Sequence, residues 1–281
     1  MGSYKGSGLK KRPSIVNGIF YPETKGEITD MLISWGLKPG AASGGQIILA
    51  PHGKWDQTGS VAASAFKSLQ QKPYDKSFKR MLLLGVDHNY TEEGIYLFES
   101  YSFETPQGDI EVDQSFNQIL TSCSTLIQIN DTPHLLEYSL EVLLPFVKHC
   151  FPEVKIIPVL MRGKRPMLIS CLAKALRVTF ENHMEESIIL VSSNVSRSSD
   201  ASRALSMAEE FSSILEAMDT HSFLTRFAAG NITACGAAIL GALLESGLLD
   251  GKSFQPTCPM VECREESGET VYHGAFVARC F

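Results

Sequence analysis

Short apolar runs that stop at a turn residue and are followed by a polar tip recur along the chain. Ile47 to Ala50 is too brief for a helix and ends at Pro51, which lacks the N–H that a strand ladder needs, so the run predicts a short buried strand. Met81 to Gly85, Lys155 to Met161 and Ser187 to Ser192 repeat the pattern. Segments of helical period lie between them. Ile28, Met31, Leu32 and Trp35 fall at i, i+3, i+4 and i+7 within Glu27 to Trp35. Gly59 to Leu69, Asp113 to Leu120 with Asp113 as N-cap, Pro166 to Phe180, Ala201 to Met218, Thr220 to Ala229 and Ala237 to Leu244 are the other expected helices. Glu137 to Cys150 carries Leu140, Leu143, Leu144 and Val147 on one stripe, with Pro145 expected to kink it. Ile95 to Phe98 and the segment around Tyr101 predict another strand or hairpin. Residues 252–263 and 270–280 predict two strands joined by the turn Glu266-Ser267-Gly268. Strands alternating with helices, without a linker-like stretch, predict one α/β domain over residues 13–281. Residues 1–12, Gly/Ser-rich and then basic, have the composition of a disordered leader.

Composition narrows the function classes. Hydrophobic residues make up 44% and charged residues 20%, as in an ordinary globular protein with a sizeable core. A formal net charge of −6 argues against a nucleic-acid partner, which needs a basic face. The cluster Lys10-Lys11-Arg12 is expected to be part of a solvated tail. No run approaches the ~18–20 apolar residues that span a membrane, and the N-terminus lacks the apolar segment of a secretory signal. Seven cysteines, an odd number without zinc-finger spacing, predict a reducing, cytoplasmic compartment and mostly buried thiols.

Three residues at the ends of regular elements carry the candidate chemistry. His52 follows the Ile47–Ala50 run, and His88 stands in the tip Val86-Asp87-His88-Asn89 after the second run. Cys235 is the third. With Thr233 as helix start, its thiol would lie in a first turn, where unpaired N–H groups and the helix dipole favour a thiolate. Imidazole and thiolate are donors for iron, copper and zinc. Asp56 and Asp87, close to the histidines in sequence, could orient an imidazole. Trp55 could wall a pocket or pack beneath it. His134 is expected in a surface loop, and His149 and His183 in solvent.

Six blocks, APHG at 50–53, LGVDHNY at 84–90, EYSLEVLLPF at 137–146, IIPVL at 156–160, LVSSN at 190–194 and TACG at 233–236, occur in an order that resembles the Memo family. That family is similar in fold to the class III extradiol dioxygenases. The resemblance implies a single three-layer α/β/α domain with a mixed central sheet and a metal-type pocket at the sheet edge. It implies His52, His88 and Cys235 as the metal set, with iron or copper as the metal. Three further pocket positions depart from the family pattern: Tyr138 and Arg197 stand where it has histidines, and Asn194 where it has an aspartate. Asn194 cannot ionise, Arg197 adds a fixed positive charge, and Tyr138, with an ordinary pKa near 10, is a poor proton shuttle at neutral pH. Ring cleavage is disfavoured on that ground.

Three functions follow as expectations. One is a metal-binding, redox-related protein with an altered non-haem pocket. A second is a catalytically inactive module that binds a small molecule or a protein or peptide partner through an anion-accepting pocket. The third is a metal-free enzyme with Cys235 as nucleophile.

Overall fold

The computed structural model describes residues 11–40, 46–70 and 78–280. Eight strands form the central sheet, in spatial order Lys252–Pro256, Phe276–Cys280, Ile47–Ala50, Ser187–Ser192, Arg80–Val86, Lys155–Arg162, Gly94–Leu97 and Ile127–Ile129. The four strands from Ile47–Ala50 to Lys155–Arg162 are parallel. They are flanked by an antiparallel neighbour on each side, which makes the sheet mixed. Registration of Ala50 opposite Ser192, and of Leu84 opposite Val191, brings the residues after three parallel strands to one carboxyl edge. Open α/β sheets bind ligands at this edge.

Alternation along the strands divides the core in two. Ile47, Leu49, Leu82, Leu84, Ile189 and Val191 face one side, where the helices Pro166–Phe180, Ala201–Ala217 and Ala237–Glu245 cover them. Ile48, Ala50, Leu83 and Leu190 face the other, against Ile28 and Leu32 of Lys25–Ser34, Phe66 of Trp55–Ser68 and Phe146 of Leu144–Cys150. Strands buried on both faces need continuous apolar runs, which is why four of them were legible as such. The result is a three-layer α/β/α domain. The first helix begins at Lys25, two residues before the expected Glu27, because the Thr24 hydroxyl and the Glu27 carboxylate form a reciprocal capping box; Ala201–Ala217 begins where expected, after Asp200, which accepts from Arg203 N.

Several boundaries differ from the sequence expectation. Arg12 is no tail residue: Lys11–Arg12 pairs with Ser102–Phe103, and the Arg12 side chain is fully buried. Its guanidinium donates to Glu141 Oε2 (2.6 Å), His134 O (2.5 Å) and Glu137 O (2.7 Å). Glu141 in turn accepts from Ile15 N, Val16 N and the Tyr21 hydroxyl. The domain therefore begins by residue 11, and the leader expected over the preceding residues lies outside the described ones. Pro145 does not kink a long helix; it stands in the first turn of Leu144–Cys150, where its missing N–H costs nothing, after a 3-10 turn at Glu141–Leu143. Asp113 is not the N-cap of Ser115–Ser122. Gln114 holds that position, and Asp113 binds Arg80. His134 and His149 are buried, His134 with a ring nitrogen 3.1 Å from Tyr96 O. The C-terminal region holds four strands, because Val261–Arg264 and Thr270–His273 leave the main sheet to join Ser196–Ser198 in a small antiparallel sheet.

Candidate metal centre

His52 is delivered by Pro51 directly beyond the Ile47–Ala50 strand. Its Nδ1 lies 2.7 Å from Ser192 Oγ, and that hydroxyl donates to Ser139 O at 2.6 Å. With its proton committed, Ser192 accepts from His52 Nδ1–H. This selects the tautomer whose Nε2 carries a lone pair, and Nε2 faces Cys235 Sγ at 3.4 Å.

His88 is fixed by one acid. Glu137 accepts from the backbone N–H of His88 (2.6 Å) and of Ser139 (2.7 Å), and its oxygens stand 3.1 and 3.2 Å from His88 Nδ1. Nε2 is left for a ligand. Burial works against the His88 imidazolium, but hydrogen bonds to Cys235 and Glu137 outweigh it and raise the pKa to about 10 in the metal-free chain. The same contacts keep Glu137 below its usual range despite burial.

Cys235 is positioned by a turn, not by a helix. The helix spans Ala237–Glu245 with Gly236 as its cap, so the first-turn placement expected for the thiol is corrected. The backbone N–H of Cys235 donates to Asn194 Oδ1 (2.7 Å), and Asn194 N–H donates to Sγ (3.3 Å). A Cβ at Gly236 would stand 2.8 Å from the Ser192 carbonyl, so this turn needs glycine to approach the strand tip. Burial opposes ionisation of the thiol, yet His52 and His88 hold its pKa well below the ordinary value.

The donor atoms of His52, His88 and Cys235 all lie within 4.8 Å of one another. They open into a cavity of about 300 Å³ that Tyr138, Asn194 and Arg197 also line. Tyr138 stacks on His88 with ring centroids 5.4 Å apart and an interplanar angle of 9°. Burial raises its phenol to about 12, so it donates a hydrogen bond but does not ionise near neutrality. Arg197 is neutralised locally by Glu265 (2.7 Å) and Glu269 (3.5 Å), which reduces its repulsion toward a cation. Trp55 does not line the cavity. As the first residue of Trp55–Ser68 it turns inward, buried among Tyr21, Trp35 and Phe146, with its indole N–H on Val142 O. Asp87 accepts from Asn89 N and Tyr90 N and stabilises the turn after the strand. Glu137 performs the orienting task at His88.

Sequence reading missed Glu137, Ser192 and His273. Glu137 and Ser192 stand inside two of the quoted blocks, and an acid opening a strongly apolar segment was the available signal. His273 closes the Thr270–His273 strand, is 7% exposed, and lines the cavity. Burial, with the nearby His52 and Arg197, lowers its pKa to about 4.

Fold and cluster together define a three-layer α/β protein with a His–His–Cys donor set at the carboxyl edge of its parallel strands. The family profile described as Memo-like protein matches residues 12–255, and the chain belongs to the Memo family. A MEMO1 family protein of Desulfurococcus amylolyticus is 28% identical over 255 residues, covering 84% of this chain and 87% of that one. One from Aquifex aeolicus is 25% identical, covering 93% and 94% respectively. The crystal structure of an uncharacterized protein from Escherichia coli K12 has a TM-score of 0.52 at 10% identity, covering 83% of this chain and 99% of its own, which bears on the fold alone. Among the described residues no helix is long and apolar enough to cross a membrane.

Proposed function

We propose that this Memo-family protein binds a transition metal through His52, His88 and Cys235 and serves a redox-related function. The observation that supports this best is the arrangement behind the donors. Ser192 and Glu137 each engage an Nδ1, so both Nε2 atoms are directed to the side where the Cys235 sulfur stands. Metal-ligating histidines are oriented by such partners. A set of two imidazoles and one thiolate suits copper, iron and zinc. Iron or copper accords with the family resemblance, and a redox-active ion would supply one-electron chemistry. Ring-cleaving dioxygenation is not part of the proposal, because Asn194 cannot ionise and Tyr138 keeps its proton. Seven free thiols accord with a reducing, cytoplasmic setting.

Elemental analysis of the purified protein beside Cys235→Ala tests the reading. The wild type should retain close to one metal per chain and the variant little. Equal, near-zero metal in both after loading with iron, copper and zinc in turn would end it. The contact between Cys235 and His52 supports a second reading, a metal-free cysteine nucleophile with histidine as base. Iodoacetamide labelling against pH separates the two: a metal ligand is protected by added metal, and a free nucleophile is not.

A further inference from the structure

We infer that Arg12 and Phe20 are positioning residues of the donor cluster: they fix Glu137 and Tyr138, which in turn orient His88. The inference rests on the proposed metal reading. It adds to that reading the N-terminal segment 12–21, which supplies none of the three donors.

The short helix Thr132–Leu136 explains why such a partner is needed. Its C-cap is Glu137, whose extended backbone (φ −95°, ψ 130°) turns the chain out of the helix. Carbonyls at a helix C-terminus have no partner within the helix. Arg12, 125 residues earlier, supplies one: its guanidinium donates to His134 O at 2.5 Å and to Glu137 O at 2.7 Å, and it holds Glu141 Oε2 at 2.6 Å. One planar fork therefore grips the chain before Glu137, at Glu137 and after it. Arg12, His134, Glu137 and Glu141 are each at most 2% exposed, so a carbonyl released here would stay buried and unpaired. Glu137 is thus held at both ends, its carbonyl by Arg12 and its carboxylate by the N–H groups of His88 and Ser139.

The same segment reaches His88 by a second route. Phe20 packs on Tyr138 with ring centroids 4.7 Å apart, and Tyr138 stacks on His88 at 5.4 Å. The backbone of Phe20 is itself fixed, since its N–H donates to Val16 O and its carbonyl accepts from Trp55 N, both at 2.8 Å. Adjacent residues therefore meet His88 from two directions, Glu137 at the Nδ1 edge and Tyr138 at the ring face. Arg12 stands behind the first and Phe20 behind the second. With edge and face both set, the imidazole keeps one direction for Nε2, the atom left for a ligand.

Arg12→Lys separates positioning from plain stability. Lysine keeps the charge opposite Glu141 but cannot present a planar fork to two carbonyls and a carboxylate at once. In zinc competition against a chromophoric chelator, Arg12→Lys should bind about three- to tenfold more weakly than wild type, less than the loss for a group touching the ligand itself. Phe20→Ala, at a half-buried residue, should show a loss of the same order, and it carries the test if circular dichroism finds Arg12→Lys unfolded. The double change Arg12→Lys, Glu137→Gln gives a readout that a merely structural role would not move. If Arg12 acts through Glu137, its effect on affinity disappears in the Glu137→Gln background, whereas independent losses multiply. In the metal-free chain, NMR gives another readout, because the Tyr138 face shifts the ring protons of His88 upfield. Arg12→Lys and Phe20→Ala should both lessen that shift. Zinc affinity within about twofold of wild type in the folded variants, or losses from Arg12→Lys and Glu137→Gln that multiply, would overturn the inference. Near-zero zinc binding by the wild type ends the metal reading instead; the His88 ring shifts then decide alone, and unchanged shifts in both variants would overturn the positioning role.

Discussion

Glu137→Gln is the most informative single change at the donor cluster. The carboxylate accepts three N–H groups: His88 N on Oε2, Ser139 N on Oε1, and His88 Nδ1 within 3.2 Å of both. Gln is the same shape but exchanges one oxygen for a donor. Whichever way the amide turns, its NH2 meets either His88 N–H or Ser139 N–H, and one charge-assisted bond becomes a donor–donor contact. Hydrogen bonds to a charged group contribute about 1.5–3 kcal/mol. If that loss is borne by the orientation of His88, metal affinity should fall by about 10–100-fold, the usual cost of removing a partner behind a ligating histidine. Competition against a chromophoric chelator, with zinc as probe at fixed pH, measures the change, and circular dichroism reports the fold. Asp87→Asn is the contrast, since Asp87 adjoins His88 in sequence but caps the following turn. An affinity in Glu137→Gln within about twofold of wild type, with the fold intact, would show that Glu137 does not orient the ligand.

Two further predictions follow from the buried charges. Arg12→Met should destabilise the fold by about 3–5 kcal/mol in urea titrations, because it strands the fully buried Glu141 without its counter-charge, and a loss under about 1 kcal/mol would contradict the ion pair. In the metal-free chain His88 is raised from 6.5 to about 10, and Cys235 is held well below 9.0. Wherever the folded thiol is ionised between 6.5 and 9.0, the folded imidazolium–thiolate pair and the unfolded imidazole–thiol pair hold equal numbers of protons, so their stability contribution is flat. Below 6.5 the unfolded histidine takes up a proton and the contribution falls as pH falls. Above 9.0 the unfolded thiol loses its proton while His88 keeps its own to about 10, and the contribution falls as pH rises. The urea midpoint of wild type minus that of His88→Gln, Cys235→Ser, followed across pH, should show this plateau; a difference rising steadily through neutrality would refute the pair.

What sequence alone determined here is local or periodic. The apolar runs at 47–50, 81–85, 155–161 and 187–192 identified the parallel strands because a strand buried on both faces has no polar position to interrupt it. The stops after two of them placed His52 and His88 at strand tips, since the residue after a strand follows its direction. Its place at the end of a regular element singled out Cys235 on a different part of the chain, and the ordered family blocks then joined it to the two histidines. Tertiary structure decided everything that depends on partners distant in sequence. Glu137 rather than Asp87 holds His88, although they are 49 residues apart, because the loop before Glu141–Leu143 returns over the strand tip. Ser192 fixes the His52 tautomer across 140 residues through the register of neighbouring parallel strands. Trp55 left the pocket because its helix begins four residues earlier than its small-residue face suggested. Arg12 changed from tail to core because a buried carboxylate 129 residues away needs its charge. Periodicity reports which face of an element is buried; which group stands opposite is set only when the sheet order and registers are closed.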